Sequence, residues 1–214
     1  MDQLASRQTP AVLPSSRRRG KVPFTCLDLF CGAGGLSEGF RQAGFHTVAA
    51  NDYDPAAGAT FKSNHAQYGT KFVLGDITEA AVMEELLHHA KGVTIDVVAG
   101  GPPCQAFSQV RNHKRIIDDP RNSLYRRFVH VLGEVRPRMF VMENVPGLEN
   151  LAGGAIRRQI IEDLELDGEY IVQSRVVDAA AFGVPQNRQR VLFVGVRRDL
   201  RTAPVFPSGM QLMD

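Results

Sequence analysis

The sequence predicts an α/β fold whose sheet is mostly parallel, with one antiparallel strand near the C-terminus. Short runs rich in β-branched residues alternate with amphipathic stretches, which is the pattern of strand–helix–strand units. Glycines or acids stand just after successive strands, at 30–35, 52–53 and 76–77, where open sheets of this kind place their ligands. The last two strands are joined by a turn with no helix between them, and so form a hairpin.

Residues 1–21 are polar, carry Pro10 and Pro14 and show no apolar period, so a flexible leader is expected. Order begins at Phe24-Thr25-Cys26-Leu27-Asp28-Leu29, a short strand that runs into Phe30-Cys31-Gly32-Ala33-Gly34-Gly35 and then a helix over 36–43. Strand, glycine loop and helix let a cofactor approach the backbone closely and meet a helix N-terminus. The same arrangement also serves plain strand-to-helix packing, and the dinucleotide fingerprint fails at its third glycine, where Ser37 stands.

A second strand over 46–50 ends at Asn51-Asp52-Tyr53-Asp54. Asp52 falls roughly 20 residues past the glycine loop, where an acid can take both hydroxyls of a ribose. Its alternative role is a helix cap, which Asp54 before Pro55 fills better. The third strand, Lys71 to Leu74, ends in Gly75-Asp76-Ile77-Thr78. Asp76 either accepts a hydrogen bond from an adenine amino group or opens the turn before a helix over 79–90. Together the three strand ends line one nucleoside-sized crevice.

A fourth strand over 94–99 leads into Gly100-Gly101-Pro102-Pro103-Cys104-Gln105, followed by Ala106-Phe107-Ser108. Two glycines and two prolines end the strand abruptly and restrict the backbone. A lone cysteine is most often a buried structural residue. The rigid shoulder before Cys104, with polar Gln105 and Ser108 after it, makes this one a candidate nucleophile. Residues 109–122 are polar and basic, suited to a loop that closes over a phosphate backbone or is simply solvated. A helix over 122–135 presents Leu124, Phe128, Val131 and Leu132 on one face. The fifth strand, 138–142, ends in Glu143-Asn144-Val145-Pro146, where Glu143 can face Cys104 across the switch point. A helix over 152–166, a strand over 170–177, a turn at Gly183 to Arg190 and a strand over 191–196 follow.

Composition narrows the class. Hydrophobic residues at 43% and charged residues at 22% suit an ordinary globular chain with one sizeable core. No apolar run reaches membrane-span length and no signal-peptide core is present, so no membrane contact and a cytoplasmic location are expected. Cys26, Cys31 and Cys104 have no metal-ligand spacing and read as reduced intracellular thiols. The net charge of +2 hides a leader of +4 and a remainder of −2. A basic leader can touch nucleic acid or merely be solvated.

The motifs Asp28 to Gly35, Asn51-Asp52, Gly75-Asp76-Ile77, Gly101 to Ser108, Met142-Glu143-Asn144-Val145 and Gly183 to Arg190 stand in this order. In that order they resemble those of the DNA cytosine-5 methyltransferases, over roughly residues 24–200. The resemblance implies a Rossmann-like class I S-adenosylmethionine-dependent methyltransferase domain over 22–200, between a leader at 1–21 and a tail at 201–214. It implies S-adenosylmethionine as cofactor, S-adenosylhomocysteine as product, and a flipped cytosine of duplex DNA as target, as in restriction-modification. Cys104 would add to cytosine C6, Glu143 would hold N3 and the exocyclic amine, and Arg190 with Arg188 would bind O2. Phe30, Cys31, Gly32, Gly35, Asp52, Tyr53, Asp76, Ile77, Pro103 and Leu124 would form the cofactor site, with Tyr53 stacked on the adenine.

Family members continue past Gln186-Asn187-Arg188-Gln189-Arg190 into a target-recognition region and a final segment that returns to the glycine loop. This sequence reaches Asp214 without either. A second polypeptide carrying recognition, or a truncated chain, is therefore expected, with an apolar docking surface near the glycine loop. Three alternatives stand beside this reading. They are a transfer-RNA cytosine-5 methyltransferase, a non-catalytic S-adenosylmethionine-binding subunit, and a nicotinamide-dependent oxidoreductase that leaves Cys104 and Glu143 unexplained.

Overall fold

Strands β1 (Phe24–Leu29), β2 (Phe45–Asp52), β3 (Lys71–Leu74), β4 (Val97–Gly100), β5 (Met139–Asn144), β6 (Tyr170–Asp178) and β7 (Gln189–Arg197) build one sheet. The structure, a computed structural model, describes residues 23–103 and 123–209. The strand order is β3-β2-β1-β4-β5-β7-β6. Strand β7 runs antiparallel to both its neighbours and every other pair is parallel, as the sequence predicts. The chain winds outward from β1 through β2 to β3, then crosses back to β4 on the other side of β1. That reversal sets a topological switch point between β1 and β4.

Side chains alternate across each strand, so the sheet buries two faces. Leu27, Leu29, Val98, Phe140 and Phe193 join a core with helices α3 (Ala80–Ala90), α4 (Ser123–Val135) and α5 (Ala155–Leu164). On the opposite face Cys26, Val97 and Ala99 meet Leu36 and Phe40 of α1 (Gly35–Gln42). Ala50 meets Phe61 of α2 (Pro55–His65) on that same side. Phe128, Phe140 and Tyr170 are fully buried and stack edge to face, with centroids 6.3 and 5.3 Å apart. Each such ring contributes about 1.5–3 kcal/mol by burial. Gly195 lies opposite Phe140 in the β5–β7 ladder, and any side chain there would overlap the ring.

Local chemistry sets the element ends. Asp54 caps α2 by accepting from Ala56 N at 2.8 Å, and Pro55 opens the helix, as expected. Strand β4 starts at Val97, three residues later than predicted. Thr25 and Asp96 exchange side-chain bonds just before it, Thr25 N to Asp96 Oδ2 at 2.8 Å and Asp96 N to Thr25 Oγ1 at 3.0 Å. Helix α5 starts at Ala155 rather than 152. Ala152 and Gly153 take left-handed φ of 50° and 62°, so Pro146–Glu149 and Leu151–Gly154 form 3-10 turns instead. After β7, Pro204 is buried and the Arg175 guanidinium lies 5.0 Å from the Phe206 ring. The expected leader and the last five residues lie outside the described residues.

Candidate active site

Parallel strands deliver their carboxyl ends to one edge, and a cavity of about 400 Å³ opens there. The exit of β1 supplies Phe30, and the end of β2 supplies Asn51, Asp52 and Tyr53. The turn after β3 gives Gly75, Asp76 and Ile77, the turn after β4 gives Gly101 and Pro103, and α4 gives Leu124. Seven of the ten residues expected in the cofactor site therefore line one space: Phe30, Asp52, Tyr53, Asp76, Ile77, Pro103 and Leu124. Asn51, Gly75 and Gly101 join them unpredicted. Asn51 is buried and its Nδ2 donates to Val73 O and Gly75 O, both at 3.0 Å, which fixes the end of β3 beside β2.

The glycine loop turns on positive φ at Phe30, Gly32 and Gly34 (56°, 54° and 95°). A Cβ at Gly34 would lie 2.6 Å from His65 Nε2, so the loop also needs glycine for close approach to α2. Asp52 clamps the loop to β2. Its Oδ2 accepts from Gly32 N at 2.7 Å and its Oδ1 from Asp54 N at 3.0 Å, leaving further lone pairs toward the cavity. Asp76 Oδ1 accepts from Thr78 N at 2.8 Å, which makes the turn while leaving Oδ2 free of any bond among the described residues. Tyr53 stands at the rim, 72% exposed. Gly32 and Gly35 shape the loop without lining the cavity, and Cys31 packs instead against Ala50 and Phe61.

Asp28 lies beneath this loop. It is fully buried, its Oδ2 accepts from Ser37 N at 3.0 Å and from Ser37 Oγ at 2.7 Å, and its Oδ1 has no partner among the described residues. Burial, with the Asp52 charge adding to it, pushes the Asp28 carboxyl up to about 7 against the pull of the Ser37 bonds. The unfolded acid titrates near 3.8, so between pH 4 and 7 the folded chain keeps a proton that the unfolded chain has lost. The stability from this group is complete below pH 4 and is lost as pH rises through 7, about 1.4 kcal/mol per unit. Asp28→Asn cannot ionise and is expected to escape that loss. Its stability relative to the parent should rise by a few kcal/mol (about 1.4 per pH unit) between pH 4 and 8 in urea melts. A difference that stays constant with pH would refute it.

Glu143, next to last in β5, lies on the same edge, 29% exposed at its side chain, and its Oε1 pairs with Arg190 Nε at 2.6 Å. The register sets Glu143 opposite Leu192, so Arg190 is its diagonal cross-strand neighbour on one face. Arg190 Nη1 also donates to Gln189 O at 2.7 Å. Arg188 is exposed, and its backbone N–H donates to Asp178 Oδ1 at 3.0 Å, which holds the turn. A Cβ at Gly101 would lie 3.0 Å from Glu143 Oε2, so the Glu143 carboxylate rests against the turn after β4. Cys104 and residues 105–122 lie outside the described residues.

The other two thiols are unsuited to act as nucleophiles. Burial first, then the Asp28 charge, pushes both Cys26 and Cys31 well up, and thiolate is the reactive form. A larger depression of about 650 Å³ lies at the amino ends of the strands, between Thr94, Arg136, Glu169 and Arg197. Arg136 pairs with Glu169 and Arg197 with Asp199 at 2.8 Å each, Arg198 Nε donates to Gly168 O at 2.7 Å, and no motif falls there. Among the described residues no three acids, histidines or cysteines cluster to hold a metal, and no helix is long and apolar enough to cross a membrane.

The family model for C-5 cytosine-specific DNA methylases matches residues 24–211. The Type II methyltransferase M.AgeI of Thalassovita gelatinovora is 42% identical over 182 residues, which cover 85% of this chain and 42% of that protein. M.AquIA of a Picosynechococcus strain is 41% identical over 80% of this chain and 71% of its own length. A solved structure described as a DNA modification methyltransferase of an E. coli prophage superposes with a TM-score of 0.68 at 32% identity, over 85% of this chain and 49% of that one. A mutant of Spodoptera frugiperda DNMT2 gives 0.62 at 26% identity, over 83% and 51%. The chain spans less than half the length of M.AgeI and of M1.HphI from Haemophilus parahaemolyticus, at 42% and 47%. With the family model spanning the whole sheet, the chain belongs to the C-5 cytosine-specific DNA methylase family.

Proposed function

We propose that this chain is the cofactor- and cytosine-binding part of an enzyme that methylates C5 of a cytosine flipped out of duplex DNA. One observation carries the reading. Gly101 and Pro103, in the shoulder before Cys104, line the same cavity as Asp52 and Asp76, and the ion-paired Glu143 rests against Gly101.

The cavity fits S-adenosylmethionine by its donor set. Asp52 would offer lone pairs to two ribose hydroxyls, Asp76 Oδ2 would accept from an amino group, and the exposed Tyr53 would stack on the base. Bound there, S-adenosylmethionine supplies an electrophilic methyl group on a cationic sulfur. The chain's own residues prepare the ring to accept it. Cys104 thiolate adds to C6 and so makes C5 nucleophilic. Glu143 hydrogen-bonds N3 and the exocyclic amine, and Arg190 offsets charge on O2. Once C5 is methylated, loss of its proton expels the Cys104 thiolate and restores the base. The flipped base is required because C6 is shielded inside a duplex.

The described residues hold one sheet with its helices and no second wall for a duplex. Recognition of the target sequence is accordingly assigned to polypeptide outside these 214 residues, in the same chain or a separate one. The experiment offers labelled S-adenosylmethionine with duplex DNA and with transfer RNA, to the chain alone and with a recognition region added. Label in C5 of duplex cytosine only when the region is added is the expected result. Preference for transfer RNA, or site-specific turnover by the chain alone, would overturn the corresponding half of the reading.

The pocket assignment has its own check. Asp52→Ala is expected to weaken S-adenosylmethionine binding by about 1–3 kcal/mol in calorimetry, since both ribose hydroxyls lose an acceptor. An unchanged affinity would place the ribose elsewhere.

A further inference from the structure

The turn after β3 brings Asp76 and Ile77 to the cavity, and bonds to neighbouring elements fix its backbone. Gly75 N donates to Asp52 O at 3.0 Å, and Gly75 O accepts from Asn51 Nδ2 at 3.0 Å. Asp76 accepts twice, its Oδ1 from Thr78 N at 2.8 Å and its carbonyl from Glu79 N at 2.9 Å. Helix α3 begins its own ladder just after, with Met83 N donating to Glu79 O at 3.1 Å. Thr78 O lies ahead of that ladder and takes its donor from another helix. Arg127 of α4 supplies it, Nη2 to Thr78 O at 3.0 Å. A cationic donor makes this bond stronger than a neutral one would be. Leu124, three residues earlier on α4 and so on the same side of the helix, also lines the cavity. One side chain thus ties together two walls of the cavity that come from separate elements.

We propose that Arg127 is a positioning residue for the cofactor: by tying α4 to Thr78 it holds Asp76 where its second carboxylate oxygen meets the amino group of an adenine. The proposal rests on the reading of this cavity as the S-adenosylmethionine site. Asp76 is exposed, so burial does not fix its carboxylate. Thr78 does, because its N–H bonds Asp76 Oδ1 while its C=O bonds Arg127. A carboxylate accepts from a 6-amino group and repels a 6-oxo group, so the aim of Asp76 sets the preference for adenine over hypoxanthine. Slack in this turn therefore shows as lost discrimination rather than as a lost fold.

The test titrates the purified chain by calorimetry with S-adenosylhomocysteine and with S-inosylhomocysteine, which differ only at position 6 of the base. The parent is expected to bind the adenosyl compound about tenfold more tightly, the gain of one hydrogen bond to a charged acceptor. Arg127→Met keeps the apolar stem and loses the donor. Its preference should fall to about twofold or less, with affinity for the inosyl compound nearly unchanged. Arg127→Gln, whose shorter side chain cannot reach Thr78 O, carries the same expectation and replaces the methionine variant if that one does not fold. A parental preference in the variant overturns the positioning role. So does an equal loss of affinity for both ligands, which marks a bond that supports the fold alone. Equal binding of the two ligands by the parent overturns the adenine reading of Asp76 on which the proposal stands.

Discussion

Cys104→Ser is expected to lower methyl transfer by at least about 10⁴-fold in the active enzyme, with cofactor binding nearly intact. The serine hydroxyl has almost the shape of the thiol but is not ionised at neutral pH, and a neutral hydroxyl adds poorly to C6. Cofactor affinity should survive because, among the described residues, the cavity takes only Gly101 and Pro103 from this turn. The remaining walls come from β1, β2, β3 and α4, which the substitution does not touch. Neither remaining thiol can substitute, since Cys26 and Cys31 are buried and that burial keeps them protonated. Calorimetric binding beside a methylation assay measures both halves. Substantial turnover by the serine variant would end the covalent mechanism, whereas loss of cofactor binding would mean that the turn shapes the pocket more than its lining suggests.

The cavity was legible because its residues recur at a repeated place, the carboxyl ends of strands that the hydrophobic pattern marks out. Asp52, Tyr53, Asp76 and Ile77 were found in that way. Asn51 and Arg127 escaped notice as site residues for one physical reason. Each bonds a backbone carbonyl 22 to 49 residues away, and no local period reveals such a bond. Cys31 shares the glycine-loop motif, yet the positive φ on either side of it turns its thiol toward Ala50 and Phe61. Asp28 reads in sequence as one polar residue inside an apolar strand. Only packing under α1 makes it an acid whose second oxygen is left unpaired. The Arg190 partner depended on the register of the β5–β7 pair, which turn residues alone do not fix because 13 residues separate Val177 from Val191. Helix α5 began late because Gly153 and Gly154 favour a left-handed turn over a first helical turn.

Glu143→Gln is expected to slow methyl transfer by about 10²–10³-fold with little change in folding stability or cofactor affinity. The amide keeps the volume of the acid and can still donate from nitrogen, so the fit against Gly101 is retained. What it loses is the transferable proton and the charge that pairs with Arg190 at 2.6 Å. Both side chains of that pair are a quarter or more exposed, so the ion pair itself adds little to stability, and the melting temperature should move by only a few degrees. The catalytic loss should fall on kcat rather than on the KM for DNA, because the developing charge on the ring exists only in the transition state. Removing the arginine separates the two contributions. If Arg190 acts on cytosine O2, Arg190→Lys in the parent should cost activity on its own account. If it serves only to hold Glu143, adding Arg190→Lys to Glu143→Gln should cost nothing further, since the carboxylate it holds is already gone. A Glu143→Gln enzyme with parental kcat would show that the N3 contact is made by some other group, and the acidic role would pass from β5.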